Sequence, residues 1–340
     1  MSAPEITLID VAAAEAGDTA ELARLRTAGT ELGIIQVVNH GVPQDLVDDF
    51  HNRVAALLAL PRAEKIGLAS PTGHPYRGWR QWPDDFGRLE LERFSIGRYD
   101  SPADAEAAGL PAEYTGEFAH PNVWPEQDPG FRDVTLAYHD AATGLAGRVL
   151  RLYARALEVN PDVFPVAATP HHTTFTVNNY PTWTHDDSST EDGEKLLLLE
   201  HADGSALTVL HQRGDYEGLQ GQQVDGTWLP VPIVPGALQV FTGSLLSRWT
   251  NGVLRAGRHR VVAGGTVTRL SSGVFWHPRV DTVVEPLAPF VVGDEEPEYD
   301  PFLLWDSVKS GVEEYLSVFG RPEQVAAWRE GRPYVAAVTE

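Results

Sequence analysis

The 340-residue sequence contains no cysteine, which removes disulfide staples, thiolate zinc sites, iron-sulfur clusters and cysteine nucleophiles together. Any metal must sit on histidine or carboxylate. Lysine is scarce too: Lys65, Lys195 and Lys309 are the only ones among 26 basic residues, so a Schiff-base lysine is a poor candidate. Basic residues as a whole are outnumbered by 48 acidic ones, for a net charge of −22. That balance repels nucleic-acid phosphates and anionic membranes, and both are set aside as partners. There is no run of about 18 apolar residues and no basic stretch leading into an apolar one at the start. The expectation is a soluble cytoplasmic protein, a monomer by default.

What the chain does have is 42% hydrophobic residues and nine tryptophans, enough for a sizeable core. Residues 1–340 are expected to form a single domain in three segments: a helical and mixed region over 5–165, a β core over 170–290 and C-terminal helices over 291–340. Ile6 to Asp10 is a short apolar run. Asp18 followed by Glu21 then opens an amphipathic stretch that ends at Gly33, the signature of a capped helix. Gly33 to Pro43 reads as strand and turn, and Leu46, Phe50, Val54 and Leu57 as a helix that stops at Pro61. Residues 70–130 show little period and read as irregular. From Phe131 to Leu157 an apolar stripe recurs every three or four residues, predicting a long helix packed on a sheet.

Beyond it the texture changes to short β-rich runs: Thr173–Tyr180, Leu196–Leu199, Ala206–Gln212, Gly218–Val224, Thr227–Val231, Leu238–Thr242 and Arg269–His277. Asp225-Gly226 is a two-residue hairpin signal between two of them. Many short strands at close spacing predict a sandwich, jelly roll or barrel. The polar stretch from Asp186 to Glu194 reads as a solvated loop. Helical patterns return at Phe302–Phe319 and Pro322–Trp328.

With cysteine absent, chemistry must be sought among the 12 histidines. His51 reads as lying on the polar side of its helix, and His74 and His120 as surface residues. His171 and His172 are adjacent, so on a strand they point to opposite faces and cannot chelate together. His201-Ala-Asp203 differs, because residues i and i+2 of an extended chain project to one side and can meet one cation. His259 follows 58 residues later, where a jelly roll brings a distant strand back alongside. Two histidines and a carboxylate leave three positions of an octahedral metal open, the arrangement of non-haem Fe(II) oxygenases. A second His-x-Asp, at His185 and Asp187, has no β run around it and is the next candidate.

Arg269 and Ser271 stand at i and i+2 of the following strand, and a guanidinium fork beside a hydroxyl suits a carboxylate. Residues 226–280 contain six arginines and no acid, a local positive field that would draw in an anionic cosubstrate. The order His201-x-Asp203, His259, Arg269-x-Ser271 resembles the iron- and 2-oxoglutarate-dependent dioxygenases of the isopenicillin N synthase type. The likeness runs through Asn39-His40-Gly41-Val42-Pro43, Leu60-Pro61, Glu64-Lys65, Leu207-Thr208, Gln212, Gly218-Leu219-Gln220, Pro235-Gly236-Ala237 and Trp249-Thr250-Asn251-Gly252. It covers about residues 5–290.

The resemblance implies a double-stranded β-helix core with flanking helices, with His201, Asp203 and His259 as iron ligands. It also implies Arg269 and Ser271 on the distal carboxylate of 2-oxoglutarate, helped by Asn178 and Tyr180 of Asn178-Asn179-Tyr180-Pro181. The implied cofactors are Fe(II), 2-oxoglutarate and O2, and the implied reaction oxidises a small-molecule metabolite with release of succinate and CO2. Hydroxylation leads, with desaturation or cyclisation as neighbouring outcomes, in natural-product and antibiotic biosynthesis. Phe275 is a candidate substrate contact, with Tyr76 to Trp79 and the helix around Trp305 as further sources. One departure is Gly243-Ser244, where the family often has Gly-Asp, and this puts local packing in question. Three alternatives remain at this point: a 2-oxoglutarate-independent iron oxidase, a jelly-roll metalloprotein of non-redox chemistry, and a binding module.

Overall fold

Asp18 opens the first long helix as its capping position predicts: its carboxylate accepts the Ala20 and Glu21 N–H groups at 2.8 and 3.2 Å, two donors that would otherwise be orphaned at the helix start. In the computed structural model, residues 5–83, 89–114, 120–166, 171–180, 182, 196–214, 218–264, 268–293, 296–319 and 326 are described. The chain begins with β1 (Thr7–Asp10), α1 (Val11–Ala16), α2 (Thr19–Glu31), β2 (Ile34–Val38), α3 (Gln44–Leu58) and α4 (Arg62–Ile66). The stretch expected to be irregular instead supplies β3 (Gly78–Pro83), β4 (Leu89–Gly97) and the short α5 (Pro102–Ala107). β3 and β4 pair antiparallel. Their polar and aromatic residues alternate less cleanly than a half-buried strand requires, which hid them from a periodicity search.

The stripe from Phe131 forms α6 (Phe131–Ala156), a helix of 26 residues. The β-rich runs form β5 (Thr174–Tyr180), β6 (Leu196–His201), β7 (Leu207–Arg213), β8 (Leu219–Gln222), β9 (Trp228–Pro230), β10 (Leu238–Thr242), β11 (His259–Val262) and β12 (Arg269–Trp276), with α7 (Ser244–Trp249) after β10. Asp225-Gly226 does turn the chain, but inside a five-residue loop between the paired Gln222 and Trp228, with Gly226 at φ 88°. After the small pair β13 (Val283–Val284) and β14 (Phe302–Leu303) comes α8 (Leu304–Phe319). Apart from residue 326, the second C-terminal helical pattern lies outside the described residues, as does the polar loop with His185 and Asp187.

Two sheets face each other, as a jelly roll demands. The larger runs β1-β2-β10-β7-β12-β5-β4-β3 and the smaller β6-β11-β8-β9. Four strands of the larger sheet come from before residue 100, so the sequence boundary near 170 separates segments of chain and not layers of the fold. On the outer face of the large sheet α2, α3 and α6 bury Leu25, Phe50, Val54, Leu145, Val149 and Leu152 against Ile35, Val177 and Val209, each large side chain contributing about 1.5–3 kcal/mol. His51 belongs to this buried face and not to the polar side of α3: it is 0% exposed. It lies four residues after Val47 and three before Val54, on the helix's apolar stripe.

Close approaches fix how the metal-bearing segments meet. Gly33, at φ 72°, passes the chain just before β11 so closely that a Cβ there would lie 2.2 Å from the Arg255 carbonyl oxygen. Gly243 is as tight: its Cβ would lie 1.9 Å from the Ser205 carbonyl oxygen. The N–H groups of Gly243, Ser244 and Leu245 donate to the carbonyls of Ala206, Asp203 and Ser205 at 3.0, 2.8 and 3.2 Å. Backbone donors at the start of α7 therefore brace the Asp203 loop, and a serine serves at position 244 where the family often has an acid.

Candidate active site

β6 and β11 pair antiparallel with His259 directly opposite His201, so two residues 58 positions apart in sequence become cross-strand neighbours. Asp203 follows β6 by two residues. Each imidazole is oriented by its own backbone: His201 Nδ1 lies 2.8 Å from the Leu199 carbonyl oxygen and His259 Nδ1 lies 3.0 Å from that of Gly257. Donation from Nδ1–H to those carbonyls fixes the tautomer and leaves both Nε2 lone pairs facing inward. They face the same oxygen, Asp203 Oδ1, at 3.6 and 3.9 Å. The other carboxylate oxygen accepts from Thr208 Oγ1 at 2.6 Å, which in turn lies 2.9 Å from Ser205 Oγ. One ligand atom from each of the three residues falls within 4.8 Å of the others.

The charges support this arrangement. Burial works against an ionised Asp203, but His259, His201 and the Thr208 hydroxyl outweigh it and hold the carboxyl below its ordinary range. Burial also disfavours a charged His201, and the adjacent Asp203 more than compensates, so its pKa is raised. In His259 burial dominates and the pKa falls. Two neutral imidazoles and a carboxylate form a hard, oxygen- and nitrogen-only donor set, which fits Fe(II) and leaves coordination positions for other ligands.

The triad borders a cavity of about 400 Å³ between the two sheets. Its wall on the large sheet is a ladder of facing residues. Arg269 pairs with Tyr180, Ser271 with Asn178, and Phe275 with Thr174. Arg269 is 1% exposed. Its guanidinium lies 4.9 Å from the Tyr180 ring centroid, and Nη2 donates to Gln212 Oε1 at 2.5 Å. Nε and Nη1 of Arg269 and Nε2 of Gln212 have no partner among the described residues. Leaving such donors buried and unmet is costly, and a carboxylate oxygen pair would satisfy them.

All eight residues singled out in the sequence, His201, Asp203, His259, Arg269, Ser271, Asn178, Tyr180 and Phe275, line this one cavity. The arginine-rich stretch does not act as a block, however. Arg258 pairs with Glu200 and Arg279 with Asp281, Arg260 stacks over Trp228 and Arg248 over Tyr299; of the six, Arg269 alone borders the cavity. Trp305 packs on Tyr114 in a satellite cluster, while its neighbours Leu304 and Val308 reach the cavity.

Sequence reasoning missed His74 and His172, which are buried and line the cavity, and His277 and Arg93, which join them. His120, read as a surface residue, has its ring centroid 4.5 Å from that of His74, the rings tilted at 40°. His171 and His172 precede β5 and are not on a strand, yet they do part, His171 toward His139 and His172 into the cavity. Adjacency excludes joint chelation but carries no signal of which histidine faces the cavity.

These observations converge with likeness to known proteins. The family profile of the 2OG-Fe(II) oxygenase superfamily matches residues 172–278, and that of the non-haem dioxygenase N-terminal region, described from morphine synthesis, matches residues 6–127. Azadirone synthase of Melia azedarach is 30% identical over 88% of this chain and 89% of its own length. A 2-oxoglutarate-dependent dioxygenase of Aspergillus rugulosus, ecdK, is 29% identical over 83% of this chain and 90% of its own. Among solved structures, the dioxygenase for auxin oxidation from rice covers 92% of this chain and 96% of its own at a TM-score of 0.70 and 27% identity. The chain belongs to the 2OG-Fe(II) oxygenase superfamily. It is an oxidoreductase that uses Fe(II) and 2-oxoglutarate, built on a double-stranded β-helix. Among the described residues no helix is long and apolar enough to cross a membrane.

Proposed function

We propose that this protein is a dioxygenase that oxidises a small-molecule metabolite in natural-product biosynthesis, with His201, Asp203 and His259 as its iron ligands. Arg269 and Ser271 grip the distal carboxylate of 2-oxoglutarate, with Asn178 and Tyr180 completing the site. The observation that carries this reading is the buried Arg269 guanidinium, with Nε and Nη1 unmet, in the same cavity as the three converging ligand atoms. Bound together, Fe(II), 2-oxoglutarate and O2 supply an oxidant able to attack an unactivated C–H bond, the cosubstrate leaving as succinate and CO2.

The residues of this chain do the rest. His201 and His259 are held as inward-facing bases by the Leu199 and Gly257 carbonyls. Thr208 fixes the rotamer of Asp203, and Gln212 and the Tyr180 ring fix the plane of Arg269. Phe275 and the apolar residues of α8 keep water from the reacting carbon. Hydroxylation is the first outcome, desaturation or cyclisation its variants. In this reading residues 1–340 act as one unit, a cytoplasmic monomer.

The test is an anaerobic titration of Fe(II)-loaded protein with 2-oxoglutarate, followed by the metal-to-ligand charge-transfer band. The band is expected in the native protein and is weakened in an Arg269→Ala variant. If the band saturates equally in both proteins, Arg269 does not hold 2-oxoglutarate and the assignment of that end of the cavity is wrong.

A further inference from the structure

We infer that the prime substrate has an apolar body larger than one ring, and that two glycines, Gly273 and Gly311, are the positions that set this size. The inference rests on the reading above in that it gives the Arg269 end of the cavity to 2-oxoglutarate and the Phe275 end to the substrate.

Gly273 stands in the middle of β12, itself an inner strand of the large sheet. Its partners across the ladder are Thr176 on β5 and Leu210 on β7. Both line the cavity, as do Ser271 and Phe275 two residues to either side, so the register puts position 273 on the cavity face. A glycine there weakens the strand and leaves a gap in the row of side chains. The Phe275 ring lies over that gap: a Cβ on Gly273 would fall 3.1 and 3.2 Å from its Cε2 and Cζ, and 3.7 Å from the Thr208 methyl. Phe275 thus folds down along its own strand, and the space its ring would take above an ordinary side chain is left to a ligand.

Gly311 opens a second wall. Leu304, Val308, Gly311 and Val312 line the cavity, and their spacing puts them on one face of α8. The helix starts beside the Phe275 end of β12, because the Leu304 and Trp305 N–H groups donate to the carbonyls of Thr282 and Val280 at 3.0 and 2.9 Å, a few residues past Trp276. Gly311 lies in mid-helix, where glycine is unfavourable relative to alanine, and the usual reasons for it do not apply. Neither Gly273 nor Gly311 is among the glycines with positive φ, so the backbone does not require them. Outside the helix's own backbone, no described atom lies within 4 Å of where a Gly311 Cβ would be. Other helix glycines differ: a Cβ on Gly29 would fall 2.6 Å from Tyr153, and one on Gly147 would fall 2.8 Å from Val166, contacts that exclude a side chain. What Gly311 adjoins is the cavity.

Size and lining decide the class of ligand. An apolar cavity of about 150 Å³ holds one benzene. The cavity here is about 400 Å³, and 2-oxoglutarate takes a share of the same order as benzene at the Arg269 end, so the remainder exceeds one ring. Leu198, Phe275, Leu304, Val308 and Val312 line it with carbon, which favours an apolar surface in proportion to the area buried. A single-ring substrate would leave the space beside Gly311 unfilled. A larger one occupies it.

The experiment compares two uncharged probes, toluene and N-phenyl-1-naphthylamine, on protein saturated with 2-oxoglutarate and Zn(II), a redox-silent stand-in for iron. Toluene is followed by ligand-observed NMR and the naphthylamine by the rise in its fluorescence. The native protein should bind the larger probe at least about tenfold tighter, from the extra apolar area it buries. Gly311→Leu should erase that preference, with the affinities for toluene and 2-oxoglutarate unchanged and Tm not lowered. Gly273→Ala, which must push the Phe275 ring up, should erase it too. Gly144→Leu is the control, since that glycine of α6 has an equally open Cβ position but does not line the cavity, and it should leave both probes as they are. Equal binding of the two probes by the native protein, a preference that survives either Gly311→Leu or Gly273→Ala, or an equal loss in Gly144→Leu overturns the proposal alone. Failure of the native protein to bind 2-oxoglutarate, measured first, overturns the reading it rests on.

Discussion

His211 Nδ1 lies 3.1 Å from His51 Nε2 across the outer face of the large sheet. This histidine pair sits directly behind the strands that carry the cosubstrate residues. His51 also donates from Nδ1 to the Val47 carbonyl at 2.7 Å, and its Nε2 meets Ser272 Oγ at 3.0 Å. Ser272 is followed through the sheet by Ser271 on the cavity side, as His211 is by Gln212.

Acid should therefore unfold this protein earlier than its carboxylates alone require. Burial lowers the pKa of His51 to about 4 and that of His211 to about 3, with Arg213 lowering both and Asp48 opposing at His51; His40 adds a lowering effect at His211. Both groups have folded pKa values below the ordinary 6.5, so the unfolded chain binds protons first. Stability is full above pH 6.5 and falls as pH drops from there toward 4. One proton taken up by the pair costs on the order of 3 kcal/mol over that window. Urea unfolding at pH 7.5, 6, 5 and 4.5 measures the slope, and His51→Gln should flatten it; an unchanged slope contradicts the assignment.

Removing a metal ligand should abolish metal binding and spare the fold. His201→Ala and Asp203→Asn each take away one of three donors, and His201 is a partly exposed residue whose loss opens little core. Metal content after dialysis should drop from one ion per chain to none, and the rise in Tm that Fe(II) or Zn(II) gives the native protein should vanish. Metal retained in the His201→Ala protein would turn attention to His185 and Asp187.

Gln212→Leu should weaken 2-oxoglutarate without touching the metal. Gln212 holds one nitrogen of Arg269, and so fixes the plane in which the guanidinium meets a carboxylate. Loss of a hydrogen bond to a charged group is worth about 1.5–3 kcal/mol, and the dissociation constant for 2-oxoglutarate should rise about tenfold or more. Equilibrium dialysis with labelled cosubstrate, beside a metal titration, separates this from general damage.

Gly243→Ala should cost both stability and metal affinity. The added Cβ would fall 1.9 Å from the Ser205 carbonyl oxygen, and the backbone braces between α7 and the Asp203 loop would have to move. A fall in Tm with a weaker metal titration is the expected pair of results. A protein with lower Tm and native metal affinity would show that the braces do not set the position of Asp203.

Much of the fold can be read from residues whose signals are local. Asp18 announces α2, the stripe from Phe131 announces α6, and the β runs from Thr173 to His277 stand close to the strands observed. The triad and the Arg269 rung were equally legible, because i and i+2 on a strand share a face and the spacing between segments carries the rest. Other features depend on what the chain meets elsewhere. β4 is a strand because β5 offers it an edge, and β3 because β4 then offers the next. His51 is buried because α3 turns its face to Ser272 and His211. His74 and His172 line the cavity beside Arg77, which lies over Gly97, and nothing in a linear sequence shows that a glycine 20 residues away leaves that space.

The position of Arg269 also dictates an order of traffic. It is sealed at the far end of the cavity, with Tyr180 beside it and both 1% exposed, while the His201 side chain near the other end is 38% exposed. Among the described residues, a molecule beside Phe275, which pairs with Thr174 and Thr208, stands between that end and His201. The cosubstrate must go in before the substrate, and succinate must wait behind the product. An excess of substrate would then act as a stopper, slowing the enzyme by blocking its own partner at the door, and raising 2-oxoglutarate would relieve the block.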